Sequence, residues 1–228
     1  MQVQKLTECI QAYAKSMARK HYFEELYPWE SQYHFQQYWD VEAVDFGKMY
    51  DKALHNGTTR RLWKRENYQP KAQMLRLIAH QPEFVRRMFR NLLDESKEIG
   101  NRIARFKFCC DDVLSDYKAD HPTSIENNHY HEDNHMIFLY LAFHRPDQYT
   151  FYHFTEFRDT LQKLGTRNLP GPHDLERFAK VSRTIFTFLA KEEIIFEKLR
   201  DLLPADWKHL NQSMLLVQDF YRFVSAGR

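Results

Sequence analysis

Apolar residues recur along this chain at alternating steps of four and three, the spacing of one face of an α-helix. The longest series runs Val85, Phe89, Leu92, Ser96, Ile99, Ile103, Phe106, Cys110, Val113, Tyr117. Pro82 suits a first helical turn, and His121-Pro122 closes the pattern. The spacing predicts one long helix over 82–118, weakened near Gly100. A second series follows Asp174, a suitable N-cap: Leu175, Phe178, Ser182, Ile185, Leu189, Glu192, Phe196, Leu199, Leu203, with Pro204 as its stop. A third is Trp207, Leu210, Met214, Val217, Tyr221, Val224. Three helices, 82–118, 174–203 and 206–224, are therefore expected to pack by their stripes into a bundle.

Shorter helices are predicted at 3–25, 29–39, 43–54, 70–80, 131–144 and 154–164. The helix at 131–144 is apolar on every side from Met136 to Phe143, so it should lie centrally, and Pro146 ends it. Tyr149 to Phe154 alternates aromatics and reads as a short extended piece. Loops are expected at 55–69, 119–130 and 165–173. No repeat, low-complexity tract or Gly/Ser/Pro linker divides the chain. The expectation is an all-α, single-domain helical bundle over 1–228, with 1–55 as an N-terminal subregion.

Composition sharpens this picture. Of 228 residues, 43% are hydrophobic and 28% charged, while only 6 are Gly, too few for many tight hairpins. A net charge of +2 excludes a globally basic nucleic-acid binder and leaves room for a local patch. The thiols are Cys9 and the vicinal pair Cys109 and Cys110, an odd count that suits reduced cysteines in a cytoplasmic protein rather than a disulfide framework. Met1 to Arg19 mixes charged and apolar residues unlike a signal peptide, and no apolar run is long enough for a membrane span.

Two constellations carry candidate chemistry. The first is basic and aromatic: Arg60, Arg61, Trp63, Lys64, Arg65, Tyr68 and Lys71, with Arg86, Arg87 and Arg90 following. The cations would neutralise phosphates, and Trp63 or Tyr68 could stack on an exposed base. The competing reading is a solvated loop with Trp63 in the core and the arginines paired with Asp94, Glu95 and Glu98. The second is His131-Glu132-Asp133-Asn134-His135, an H-E-x-x-H string. On a helix, His131 and His135 would share a face and hold zinc, with Glu132 as general base and Glu156, His129 or His153 as third ligand. Against that reading, the two x positions are polar where metallopeptidase helices are apolar, and the string opens a helix. An acidic first turn among surface histidines is the simpler alternative. Cys109-Cys110 beside Asp111-Asp112 lacks the cationic setting of a reactive thiol, so Cys110 is assigned to the core and the acids to a solvated helix face. P-loop, G-x-G-x-x-G and G-x-S-x-G signatures are absent, so no usual nucleotide cradle is expected and no cofactor is assigned.

Three segments together carry a resemblance. They are Pro82-Glu83-Phe84-Val85-Arg86-Arg87-Met88-Phe89 running to Phe108; Asn128-His129-Tyr130-His131 with Leu139 to Phe143, Pro146, Tyr149 and Tyr152; and Leu175-Glu176-Arg177-Phe178 leading to Phe186-Thr187-Phe188-Leu189. Over about residues 40–220 this pattern resembles the helical N-terminal region of bacterial McrB-like AAA+ GTPases of modification-dependent restriction systems. The resemblance implies a noncatalytic recognition module contacting DNA or a partner protein, and it offers no catalytic residue. The chain ends at Arg228, about where a motor would begin, so it is expected to be either a fragment or a stand-alone subunit beside a separate AAA+ motor or nuclease. The rival expectations are a zinc-dependent hydrolase and a protein-interaction scaffold.

Overall fold

A computed structural model describes residues 1–17, 26–57, 59–64, 68–124 and 126–227 of the chain. Its architecture is all-α. Among the described residues there are eleven α-helices: α1 (Val3–Met17), α2 (Tyr27–Tyr38), α3 (Phe46–Ala53), α4 (Pro70–His80), α5 (Pro82–Leu92), α6 (Ile99–Asp120), α7 (His135–His144), α8 (Phe154–Lys163), α9 (Leu175–Leu189), α10 (Glu193–Leu202) and α11 (Leu215–Ser225). Three 3₁₀ segments occur among the described residues, at Thr59–Leu62, His129–His131 and Ala205–Gln212. No described helix is long and apolar enough to cross a membrane.

Each of the three predicted long helices is broken. The first divides into α5 and α6. Asp94 makes the break: its Oδ1 accepts from the Ser96 N–H (3.1 Å) and hydroxyl (2.6 Å), offering the backbone an alternative to the helical ladder. The Ser96 hydroxyl first, then the Lys97 ammonium and the Ser96 N–H, hold the Asp94 carboxyl down at about 2. Arg102 Nη1 then collects the carbonyl of Leu92 at 2.9 Å, satisfying the C-terminal end of α5. The second divides at 190–192, where the α9 ladder tightens and α10 restarts. The third begins as the 3₁₀ segment Ala205–Gln212; Ser213 Oγ accepts from the Leu215 N–H at 3.2 Å as α11 starts. The predicted helix 3–25 is α1 as far as Met17, and its remainder lies outside the described residues.

Backbone contacts partition the chain into two compact units, one of Met1–Glu30 with Leu141–Arg228 and one of Ser31–Tyr140. In the first, α8 and α11 pack most closely. Tyr221 on α11 lies between Phe157 and Phe178, 5.6 and 6.3 Å away between ring centres, and its hydroxyl bonds Ser182 Oγ at 2.9 Å. Tyr13 on α1 donates to Asp219 Oδ2 at 2.8 Å.

The second unit is built around Phe89. Its ring meets Trp39, Phe46, Tyr50, Phe106 and Tyr140 at 5.1–5.9 Å, mostly edge to face. Inside this cluster runs a line of hydroxyls: Tyr50 to Tyr140 at 2.6 Å, Tyr140 to Tyr130 at 2.8 Å, and Tyr130 to the Pro70 carbonyl at 3.1 Å. Burial pushes all three phenols well above the ordinary tyrosine range, so every proton stays on and must be placed. The Pro70 carbonyl can only accept, so Tyr130 donates to it, Tyr140 donates to Tyr130, and Tyr50 donates to Tyr140. Cys110 is wholly buried against this core, and burial raises its thiol far above the reactive range, as expected of a packing residue.

Candidate nucleic-acid interface

The basic turn after α3 is set by backbone geometry and one anchored carbonyl. Over Thr59–Leu62 the chain coils as a 3₁₀ helix, and the Trp63 and Lys64 N–H groups both donate to the Arg60 carbonyl, at 3.3 and 2.8 Å. His135 Nε2, at the start of α7, bonds the Leu62 carbonyl at 2.6 Å. Trp63 drives its ring into the core and is only 4% exposed. Held at those two points, the turn presents Arg60, Arg61 and Lys64 to solvent. Among the described residues none of these three side chains meets a carboxylate or a hydrogen-bond acceptor.

Beside the turn lies an open groove of about 500 Å³ within the second unit. Arg60 and Lys64 line one part of it, and His55, Asn56, Gln69 and the Lys71–Asp51 pair contribute the rest of its polar lining. His55, Asn56 and Gln69 entered no sequence motif. They reach the groove because α3 ends and α4 begins beside the basic turn.

The other members of the predicted basic-aromatic set have different tasks. Tyr68 is 2% exposed; it donates to Asp133 Oδ1 at 3.2 Å and lies edge-on to His129. With Trp63 also buried, neither ring offers a face to a base, so the expected stacking role is corrected. Lys71 Nζ is consumed at the end of α3, bonding the carbonyls of Asp51 (2.9 Å) and Leu54 (3.1 Å) and the Asp51 carboxylate (2.7 Å). Arg86, 5% exposed, serves the carbonyls of Val41 and Ala43 and pairs with Glu83. Arg90 forks onto Glu42, and Arg87 lies over the Phe84 ring. Of the acids proposed as their partners, Glu95 pairs instead with Arg102. Arg65 lies outside the described residues.

The H-E-x-x-H string does not form a metal-binding helix. His131 closes a 3₁₀ turn, while α7 starts only at His135, whose N–H donates to Asp133 Oδ1 at 2.8 Å. The polar x residues thus open the helix instead of packing inside it. The histidines go separate ways: His131 bonds Asp111 at 2.7 Å and His135 bonds the Leu62 carbonyl. Glu132 accepts from His129, whose ring sits between Glu132 and Glu126, each at 2.9 Å; Glu126 also takes Arg76. The spacing Glu126-x-x-His129-x-x-Glu132 was the legible sign of that cluster. Glu156 belongs to α8 of the other unit, where it accepts from Gln218; burial raises its carboxyl, opposed by Arg222 and that bond. His153 precedes α8 without a side-chain cap bond. Among the described residues no three His, Cys, Asp or Glu groups gather to hold a metal ion. The zinc arrangement read from His131, His135 and Glu156 is therefore corrected.

The exposed cations of the Thr59–Lys64 turn form the candidate interface, and no protein family, curated protein or solved structure matches the sequence.

Proposed function

We propose that this chain is a noncatalytic recognition module whose second unit binds the phosphate backbone of DNA at the groove beside Thr59–Leu62. One observation carries the reading: Arg60, Arg61 and Lys64 sit together on an anchored turn with no carboxylate to neutralise them among the described residues. Arg90 and Lys97 in the same unit are by contrast compensated, by Glu42 and Asp94. Uncompensated cations around a polar groove favour a polyanion and release its counterions on binding. With Trp63 and Tyr68 inside the core, the contact is to phosphates, which position a duplex or strand without reading its bases.

The resemblance to the N-terminal region of McrB-like proteins favours the same role, as the recognition part of a restriction or defence system acting beside an AAA+ motor or nuclease subunit. The residues that carry it include Val85, Phe89, Leu139, Tyr140, Phe143 and Phe178, all of them buried. Helical packing alone asks for such residues at those positions.

The test is fluorescence anisotropy of labelled 20-nucleotide DNA, single- and double-stranded, against the wild type and Arg60→Gln/Arg61→Gln/Lys64→Gln. The expected result is low-salt binding that weakens at least about tenfold in the variant, consistent with loss of three phosphate contacts. The variant's thermal melt should match the wild type, since the three side chains support no fold contact. Equal affinity in both proteins would remove the assignment.

A further inference from the structure

A second surface feature lies in the other unit, on a different kind of chemistry. Helices α9 and α10 bury one face each, through Phe178, Ser182, Ile185 and Leu189 on α9 and Ile195 and Leu199 on α10. They leave Phe186 and Phe196 half-buried. Phe186 and Phe196 meet edge to face at 5.9 Å, and Ala190 in the tight connection keeps the space between them open. The result is a groove of about 410 Å³ with an aromatic floor. Asn211 Nδ2 reaches the Phe196 carbonyl at 3.4 Å from the Ala205–Gln212 segment, fixing the far wall.

The rim says what fits. Glu193, Glu197 and Arg200 line the groove along a single face of α10, at i, i+4 and i+7. Among the described residues none of the three forms an ion pair. The row spans roughly 10 Å at about 1.5 Å of rise per residue, two acids followed by one base. Charges one helical turn apart are matched by charges one helical turn apart on a partner. An aromatic floor beside such a row suits a helix lying in a groove with its apolar anchors inward.

We infer that this groove docks an amphipathic helical segment of a partner protein, one that presents bulky apolar side chains to Phe186 and Phe196 and a pair of Lys or Arg residues to Glu193 and Glu197. The cationic turn of the partner lies toward the N-terminal end of α10, and Arg200 favours an acid further along. This surface is independent of the basic turn in the other unit, so either can fail alone.

The experiment uses three labelled 14-residue helical peptides: one of Leu anchors with Lys at i, i+4; one with Glu in place of Lys; and one with Ser in place of Leu. Each is titrated by anisotropy into the full chain and into Glu193→Lys/Glu197→Lys. The wild type should prefer the Leu/Lys peptide over both others. The double variant should invert the order of the Leu/Lys and Leu/Glu peptides, each affinity shifting roughly three- to tenfold, as expected for two exposed ion pairs reversed in sign. Both substitutions are at exposed positions, so a coincident thermal melt shows that the fold is intact. An Asp112→Lys variant on α6 controls for general charge and should leave the order unchanged. The inference is overturned if the double variant keeps the wild-type order, if Asp112→Lys inverts it equally, or if the Ser peptide binds as well as the Leu peptide.

Discussion

The tyrosine line in the second unit makes a prediction that a simple count of hydrogen bonds would not. Its direction is fixed at one end by the Pro70 carbonyl, so the protons run from Tyr50 through Tyr140 and Tyr130 to that carbonyl. Replacing Tyr50 with Phe removes the first donor; Tyr140 still donates to Tyr130, and only an acceptor lone pair is left unmet. The cost should be that of one net hydrogen bond, about 0.5–1.5 kcal/mol. Replacing Tyr140 with Phe breaks two bonds and takes the buried Tyr50 O–H from its 2.6 Å acceptor. Desolvation of an unsatisfied group adds about 1–3 kcal/mol, so the loss should be about 2–3 kcal/mol. Tyr130→Phe strands one donor as well, whichever way Tyr140 turns, and should fall near Tyr140→Phe. All three side chains are fully buried, so water does not soften the difference. Urea unfolding followed by circular dichroism measures the three losses on one scale. A Tyr50→Phe loss equal to or above that of Tyr140→Phe would refute the assigned direction.

Other predictions test separate parts of the structure. Arg86→Lys should destabilise by roughly 1–3 kcal/mol in a thermal or urea melt, because an ammonium cannot replace the fork that serves the Val41 and Ala43 carbonyls. Gly165→Ala should lower stability by about 1–2 kcal/mol by the same measurement: φ is +71° there, and an added Cβ would lie 2.8 Å from the Gln2 side chain. Burial raises the Glu156 carboxyl, so the folded state holds its proton more tightly than the unfolded one. Stability is then lost as pH rises from the ordinary carboxyl range through the raised value. Glu156→Gln should accordingly raise the urea midpoint at pH 7 and lose that advantage near pH 4; an advantage confined to acid pH would contradict the burial argument.

Much of the fold was legible because helical periodicity depends only on which faces are buried. The starts at Pro70, Pro82 and Asp174 and the central placement of Met136 to Phe143 follow from first-turn prolines, a capping aspartate and an apolar run. The breaks were hidden because the helices on either side bury residues in the same phase, so the stripe runs on across the gap. Their trace was polar residues on the stripe. Ser96 and Glu192 fall in the two interhelical breaks, yet Ser182, equally polar, is buried mid-helix and satisfied by Tyr221. Only the partner, remote in sequence, separates these cases. The candidate site was half legible for a similar reason. Arg60, Arg61 and Lys64 can be named from the sequence, but whether a cation is free depends on what faces it. Lys71 and Arg86 look the same in sequence and are spent on backbone carbonyls. Trp63 and Tyr68 were misread because an aromatic among cations is equally the anchor of a turn.

The central claim, that the Thr59–Lys64 turn binds nucleic-acid phosphates, is tested most directly by the salt dependence of DNA affinity. The dissociation constant of a labelled duplex is measured from low to physiological salt for the wild type and for Arg60→Gln/Arg61→Gln/Lys64→Gln. The account predicts a linear fall of log K with log salt in the wild type. It predicts a slope shallower by about two to three in the variant, the share of three phosphate contacts. Parallel slopes, or wild-type binding that salt leaves unchanged, would contradict it.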